Sequence, residues 1–158
     1  MTHRLRPLRD GDDVALLAIH IGAIMATSDE FYSLAERDSW AHGLTEQAYA
    51  RSRDAGETFV VATDDNDTAI GFCSWNRAAI IGLYVAADRQ GTGIGSALLA
   101  HGEQALRDFA VTTSHIHSSL PAVGFYQSHG YRITGRTNHA SRGGLPMAGV
   151  LLEKPLLP

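Results

Sequence analysis

Cysteine is almost absent: Cys73 is the only one in 158 residues, which excludes a disulfide framework and a cysteine-ligated metal cluster. Basic charge is also in short supply, with 13 Lys and Arg against 17 Asp and Glu and a net charge of −4. A nucleic-acid binder needs a basic stripe to neutralise phosphates, so that class is set aside. The mild acidity is compatible with a cationic amine as ligand. No run approaches the roughly 20 apolar residues of a membrane span, and the N-terminus lacks the basic-then-apolar shape of a secretion signal. The expectation is a cytoplasmic protein with neither membrane nor nucleic acid as partner. Internal repeats and low-complexity linkers are missing too. What is there is an ordinary globular composition, 44% hydrophobic and 19% charged, at a length that predicts one domain over residues 1–158.

The chain is organised around residues 78–99, AAIIGLYVAADRQGTGIGSALL. Nearly every residue of 78–85 is apolar, which predicts a central strand buried on both faces. Gly91, Gly93 and Gly95 then alternate with Thr92 and Ile94, so the backbone can pass close to a ligand with its N–H groups free. Ala97, Leu98, Ala105 and Leu106 recur at helical spacing as far as Asp108, giving the loop a helix dipole to focus. The chemistry this favours is anion binding at a helix N-terminus. A nucleotide-triphosphate loop would need Lys and a hydroxyl residue after its last glycine, where Ser96 and Ala97 stand. A dinucleotide fingerprint would need glycine at Ser96, and too little chain follows for a doubly wound domain.

The rest of the chain supplies strands and helices around that segment. An edge strand is predicted over 4–8, a helix over 14–26 with Val14, Leu17, Ala18, Ile21 and Ile24 in one stripe, and a broken second helix between Thr27 and about Arg53. Strands over 58–62 and 69–75 flank the turn signal DDND at 64–67 and form a hairpin. After the glycine-loop helix come a strand over 114–119, a short helix over 121–129, a strand over 131–135 and a last strand over 146–154.

Gln90, Gly91, Thr92, Gly93, Ile94 and Gly95 satisfy each specified position of the Q/RxxGxG/A loop, and Phe125, Tyr126 and Gly130 resemble the FYxxxGF/Y segment that follows it. In these motifs, and in element order over almost the whole chain, the sequence resembles the GNAT superfamily of N-acetyltransferases. The resemblance implies an α/β (α+β) fold, a mixed, mostly antiparallel sheet of about seven strands with helices on both faces. It implies acetyl-CoA as acyl donor and co-substrate, no metal, and a primary amine acceptor attacked directly in a ternary complex. Leu83, Tyr84 and Val85 would hold the pantetheine and acetyl end, and Gln90, Gly91, Thr92, Gly93, Ile94, Gly95 and Ser96 the pyrophosphate. Ser119 stands where many members carry an Asn against the pantetheine. Tyr126 matches the tyrosine that often protonates the departing thiolate, a role suited to a positioned phenol.

The general base is less defined. Members often carry a Glu on the central strand where this chain has Ala79. His115 and His117 share a strand face with Ser119 by period two, and an imidazole with an ordinary pKa near 6.5 suits the task. His117 is the catalytic candidate, and deprotonation of the amine into water is the alternative. HxH spacing alone makes no metal site. Tyr32 and Trp40, in the region that borders the acceptor pocket in this family, are substrate candidates. So is His139, in the loop before the last strand, which resembles a position in the subset ending HxxxGGxPMxxVxxEKxL. The acceptor stays open among small amines, polyamines, amino acids and protein amines. Two other functions keep the same loop: a non-catalytic acetyl-CoA sensor, and an enzyme using another acyl-CoA. Family members often dimerise, and the apolar tail 155–158 offers surface for it, so monomer and homodimer are both open.

Overall fold

The computed structural model describes residues 2–157. Strand β1 (Arg4–Pro7) leads to helices α1 (Asp13–Met25), α2 (Leu34–Ala41) and α3 (Gln47–Asp54). Strands β2 (Thr58–Thr63), β3 (Ala69–Trp75) and β4 (Ile80–Val85) follow, then α4 (Ile94–Asp108), β5 (Thr113–Ser119), α5 (Val123–Ser128), β6 (Arg132–Ala140) and β7 (Pro146–Pro155). Among the described residues, no helix is long and apolar enough to cross a membrane.

The seven expected strands are present among the described residues but are divided between two sheets, β1-β2-β3-β4 and β5-β7-β6, and every pairing is antiparallel. β4 and β5 lie side by side without a ladder. β4 is therefore the open edge of its sheet, and the expectation that it is buried on both faces fails. Ile81 is 52% exposed, and Leu83, Tyr84 and Val85 are only half-buried. The strand also starts at Ile80 rather than Ala78, because Asn76 Oδ1 accepts from the Ala78 and Ala79 N–H groups at 2.8 and 2.9 Å. That local turn competes with strand pairing for both donors.

Alternation along β2 distributes the core. Val60 and Ala62 join Ile94, Leu98 and Leu106 on the α4 face, while Phe59 and Val61 join Leu16, Ile19 and Tyr49 on the α1 and α3 face. Helices thus cover both faces of the four-stranded sheet, and each fully buried aliphatic side chain is worth about 1.5–3 kcal/mol. The broken second helix resolves into two separate helices. Ser33 and Glu36 form a reciprocal capping box that starts α2, and Gly43, at φ +70°, separates α2 from α3.

β6 runs five residues past its predicted end. Its register with β7 continues to Ala140 opposite Pro146, so His139 belongs to a strand and not to a loop. The tail is partly core: Leu156 is buried and its N–H donates to the Thr112 carbonyl at 2.8 Å. Leu157 is exposed, and Pro158, the last residue of the tail considered for a dimer contact, lies outside the described residues.

Candidate active site

Because β4 and β5 do not pair, a cleft of about 680 Å³ opens between them, within the range of small-molecule sites. The glycine loop forms one end. Gly91 and Gly93 have φ of +75° and +86°, a region L side chains rarely enter. Gly93 is the N-cap of α4 and no side chain caps that helix, so the first-turn N–H groups are open to an anion, supported by the dipole of a fifteen-residue helix. Gly95 admits no side chain easily, since a Cβ there would lie 3.3 Å from the Phe125 ring. The loop is tied to its own backbone: Gln90 Nε2 donates to the Val85 carbonyl at 3.3 Å and Thr92 Oγ1 to the Arg89 carbonyl at 2.6 Å. Ile94 is fully buried, and neither it nor Thr92 is among the residues that line the cleft. This donor set fits a pyrophosphate without a lysine.

A second cavity of about 170 Å³ lies beyond the cleft. Trp40, Leu83, Tyr84, Ser119, Ala122 and Tyr126 line both spaces. Tyr126 is 6% exposed, and its hydroxyl has no hydrogen-bonding partner among the described residues. Burial, with the Cys73 thiol next in effect, pushes its phenol far above the ordinary value, so the proton stays on oxygen at neutral pH. Burial likewise pushes Tyr84 up to about 12.

His117 and His139 line the smaller cavity with their rings 4.6 Å apart, edge to face. Burial lowers the His117 pKa and the neighbouring His139 lowers it further. His115 points elsewhere: it lines neither cavity, and its Nδ1 lies 3.8 Å from Glu153. Ala79 also lines neither, and no carboxylate borders either space among the described residues. Tyr32 is 2% exposed and its hydroxyl is committed, donating to the Ala148 carbonyl at 2.7 Å and accepting from the Leu120 N–H at 2.9 Å. Its ring lines the smaller cavity beside Trp40, with centroids 5.7 Å apart. Tyr32 thus shapes the pocket wall with its hydroxyl already spent on backbone.

Sequence reasoning missed several participants. Arg89 and His129 line the cleft. His129 Nδ1 lies 2.8 Å from the Phe125 carbonyl, which only accepts, so Nδ1 carries a proton, and Nε2 lies 2.9 Å from Ser96 Oγ. Ser96, which also lines the cleft, therefore has its hydroxyl engaged by His129. Thr137 holds His117 Nε2 at 2.8 Å. His129 sits inside the FYxxxG segment and was legible there only as an unspecified position; Thr137 carried no local signal at all.

This is an α/β protein whose sheets splay over a glycine-capped helix, with a second pocket behind the splay and donors at the loop that suit an anionic ligand. The chain belongs to the GNAT acetyltransferase family, whose domain model matches residues 26–148. The peptidyl-lysine N-acetyltransferase YjaB of Salmonella typhimurium is 32% identical over 77 residues, 49% of this chain and 52% of that protein. The chain spans about half the length of the curated relatives it matches. Among solved structures, a GCN5-related N-acetyltransferase from Rhodopseudomonas palustris superimposes with a TM-score of 0.89 at 24% identity, covering 98% of this chain and 96% of that one. The PaiA N-acetyltransferase of Thermoplasma acidophilum, solved with coenzyme A, gives a TM-score of 0.76 at 18% identity over 98% and 99% of the two chains. At these identities the likeness to the two structures speaks to fold.

Proposed function

We propose that residues 1–158 act as one acetyl-CoA-dependent N-acetyltransferase domain that acylates a primary amine in a ternary complex. The observation that carries this reading is the wall shared by the cleft and the smaller cavity, with Tyr126 and Ser119 in it and His117 behind it. Acetyl-CoA supplies an acetyl thioester, whose carbon–sulfur bond breaks as the amine nitrogen bonds to the carbonyl carbon, releasing the coenzyme A thiol. The loop Gln90 to Ser96 binds the pyrophosphate through backbone N–H groups, and the open edge of β4 at Leu83, Tyr84 and Val85 takes the pantetheine arm as an added strand. His117 accepts the proton the amine loses, and Tyr126 Oη gives one at the leaving sulfur. Ser119 offers a hydroxyl to the pantetheine, while Trp40, Tyr32 and His139 bound the acceptor. The matched YjaB relatives are peptidyl-lysine acetyltransferases, which puts a lysine peptide in the acceptor panel.

A second reading, a non-catalytic acetyl-CoA sensor, is favoured by one feature, the lack of any carboxylate in either cavity among the described residues. Calorimetry with acetyl-CoA, followed by thiol release over an amine panel, separates the two. Micromolar binding with turnover supports the enzyme, and the same binding without turnover for any amine supports the sensor. Gly93→Val is expected to weaken acetyl-CoA at least 10-fold, because a β-branched side chain at φ +86° distorts the loop. Unchanged affinity in that variant overturns the loop assignment.

A further inference from the structure

The smaller cavity offers a cationic acceptor no anionic anchor, since Asp and Glu are missing from its lining and from that of the cleft among the described residues. A polyamine bound there would leave its second ammonium without a counter-charge. Arg142 lines neither cavity itself, but it is the charge next to the lining of the smaller one and has the opposite sign. Arg142, in the turn between β6 and β7, donates through Nη1 to the Trp40 carbonyl at 3.1 Å. Trp40 lines both spaces, and Ser141, next to Arg142, lines the smaller one. Arg142 makes no ion pair among the described residues, and the rest of its donor fork is open. Its charge reaches the inner wall. Burial drives His20 down to about 3 with Arg142 adding to the shift, and burial pushes Tyr84 up to about 12 with Arg142 opposing it.

Besides the Arg142 bond to Trp40, the turn is fixed to α2 through Ser39. The Gly143 N–H donates to the Ser39 carbonyl at 2.7 Å, the Leu145 N–H to Ser39 Oγ at 3.2 Å, and the Ser39 and Ser141 hydroxyls meet at 2.6 Å. Glycine is required at 143, where a Cβ would stand 2.6 Å from Ser39 Oγ and 2.9 Å from its Cα. A guanidinium held on such a turn can take a carboxylate in a two-pronged hydrogen bond with little ordering of the loop. Arginine suits that geometry better than lysine.

We propose that the acceptor is a small amine carrying its own carboxylate, an amino acid or a close relative, with Arg142 receiving the carboxylate at the rim. The amine then enters the smaller cavity toward His117 and Tyr126. The volume of about 170 Å³ is on that scale. This rests on the reading of the chain as an amine acetyltransferase, and the test keeps the two apart by measuring acceptor binding separately from transfer.

Free amino acids, each paired with its carboxamide, and a lysine-containing peptide are titrated calorimetrically into the protein with and without coenzyme A. Thiol release from acetyl-CoA is then followed with the same compounds. At least one amino acid is expected to bind 10-fold or more tightly than its amide. Arg142→Gln is expected to abolish that difference while leaving amide binding and acetyl-CoA affinity unchanged, and Arg142→Lys to restore part of it. Carboxylate preference without transfer would sink the enzyme reading and leave the anion site standing. Amides or the lysine peptide binding as well as the free acids would overturn the proposal. So would the absence of binding by every compound, or an Arg142→Gln variant that retains the preference.

Discussion

His117 Nε2 lies 2.8 Å from Thr137 Oγ1, a bond that reaches from β5 to β6 over the strand between them. Gly149 makes the crossing possible. The register sets it opposite both Ser119 and Thr137, and a Cβ there would stand 2.8 Å from His117 Nε2 and 2.9 Å from Thr137 Oγ1. With Nε2 donating its proton to Thr137, Nδ1 would be the ring atom left to take one, and it has no partner among the described residues.

Gly149→Ala is therefore expected to push the imidazole off its seat. A positioned proton acceptor contributes about 10²–10⁴ in rate, so partial displacement is expected to lower kcat about 10-fold or more with acetyl-CoA affinity unchanged. Steady-state thiol release and calorimetry check both halves, and an unchanged kcat would remove His117 from the proton transfer.

The rate should depend on pH through the same ring. Burial, and then His139, hold the His117 pKa below its ordinary value. A base must be neutral, so kcat/KM is expected to fall as pH drops through a pKa below about 6.5. His139→Ala removes the repulsion and is expected to shift that limb to higher pH, while His117→Gln abolishes it. A limb that stays in place in both variants would assign it to another group.

Tyr126→Phe separates chemistry from packing. The ring is buried, and its hydroxyl has no partner among the described residues in a side chain that lines both cavities, so its loss is expected to change stability by less than about 1 kcal/mol, in either direction. Turnover is expected to fall about 100-fold. A large drop in Tm, or full turnover, would make Tyr126 a packing residue.

His20 gives a prediction about stability alone. It is 6% exposed, its Nδ1 lies 3.0 Å from the Tyr49 hydroxyl and its Nε2 has no partner among the described residues. Burial, and then the Arg142 charge, lowers its pKa to about 3. The folded protein thus refuses a proton that the unfolded chain binds below about pH 6.5. Stability is expected to rise with pH across the window from 3 to 6.5 and to be lost as pH falls, by at most about 1.4 kcal/mol per pH unit from this group. His20→Gln should remove that part of the slope in urea unfolding measured at several pH values, whatever its effect on stability at pH 7. An unchanged slope would show that His20 takes up a proton in the folded state.

The glycine loop was legible because its demands are local. A left-handed φ at Gly91 and Gly93 and the apolar spacing of α4 are properties of a few consecutive residues. The succession of strands along the chain followed from alternation and turn signals in the same way. The capping box of Ser33 and Glu36 was equally local, and α2 could have been found from it. The full length of β6 could not, since Asn138 and His139 become strand only by pairing with Ala148 and Met147.

The sequence by itself thus determined the order of elements, the glycine loop and the family, through patterns that a single helix or strand must satisfy on its own. Tertiary structure alone decided that β4 would be an open edge, that His117 and His139 would meet across β7, and that Arg142 would bond the Trp40 carbonyl beside the smaller cavity. Those relations depend on which strands pair and which fail to pair, and on the absence of a side chain at Gly149 and Gly143. They bring together residues 20 and 102 positions apart, and no periodicity within one segment encodes such a meeting.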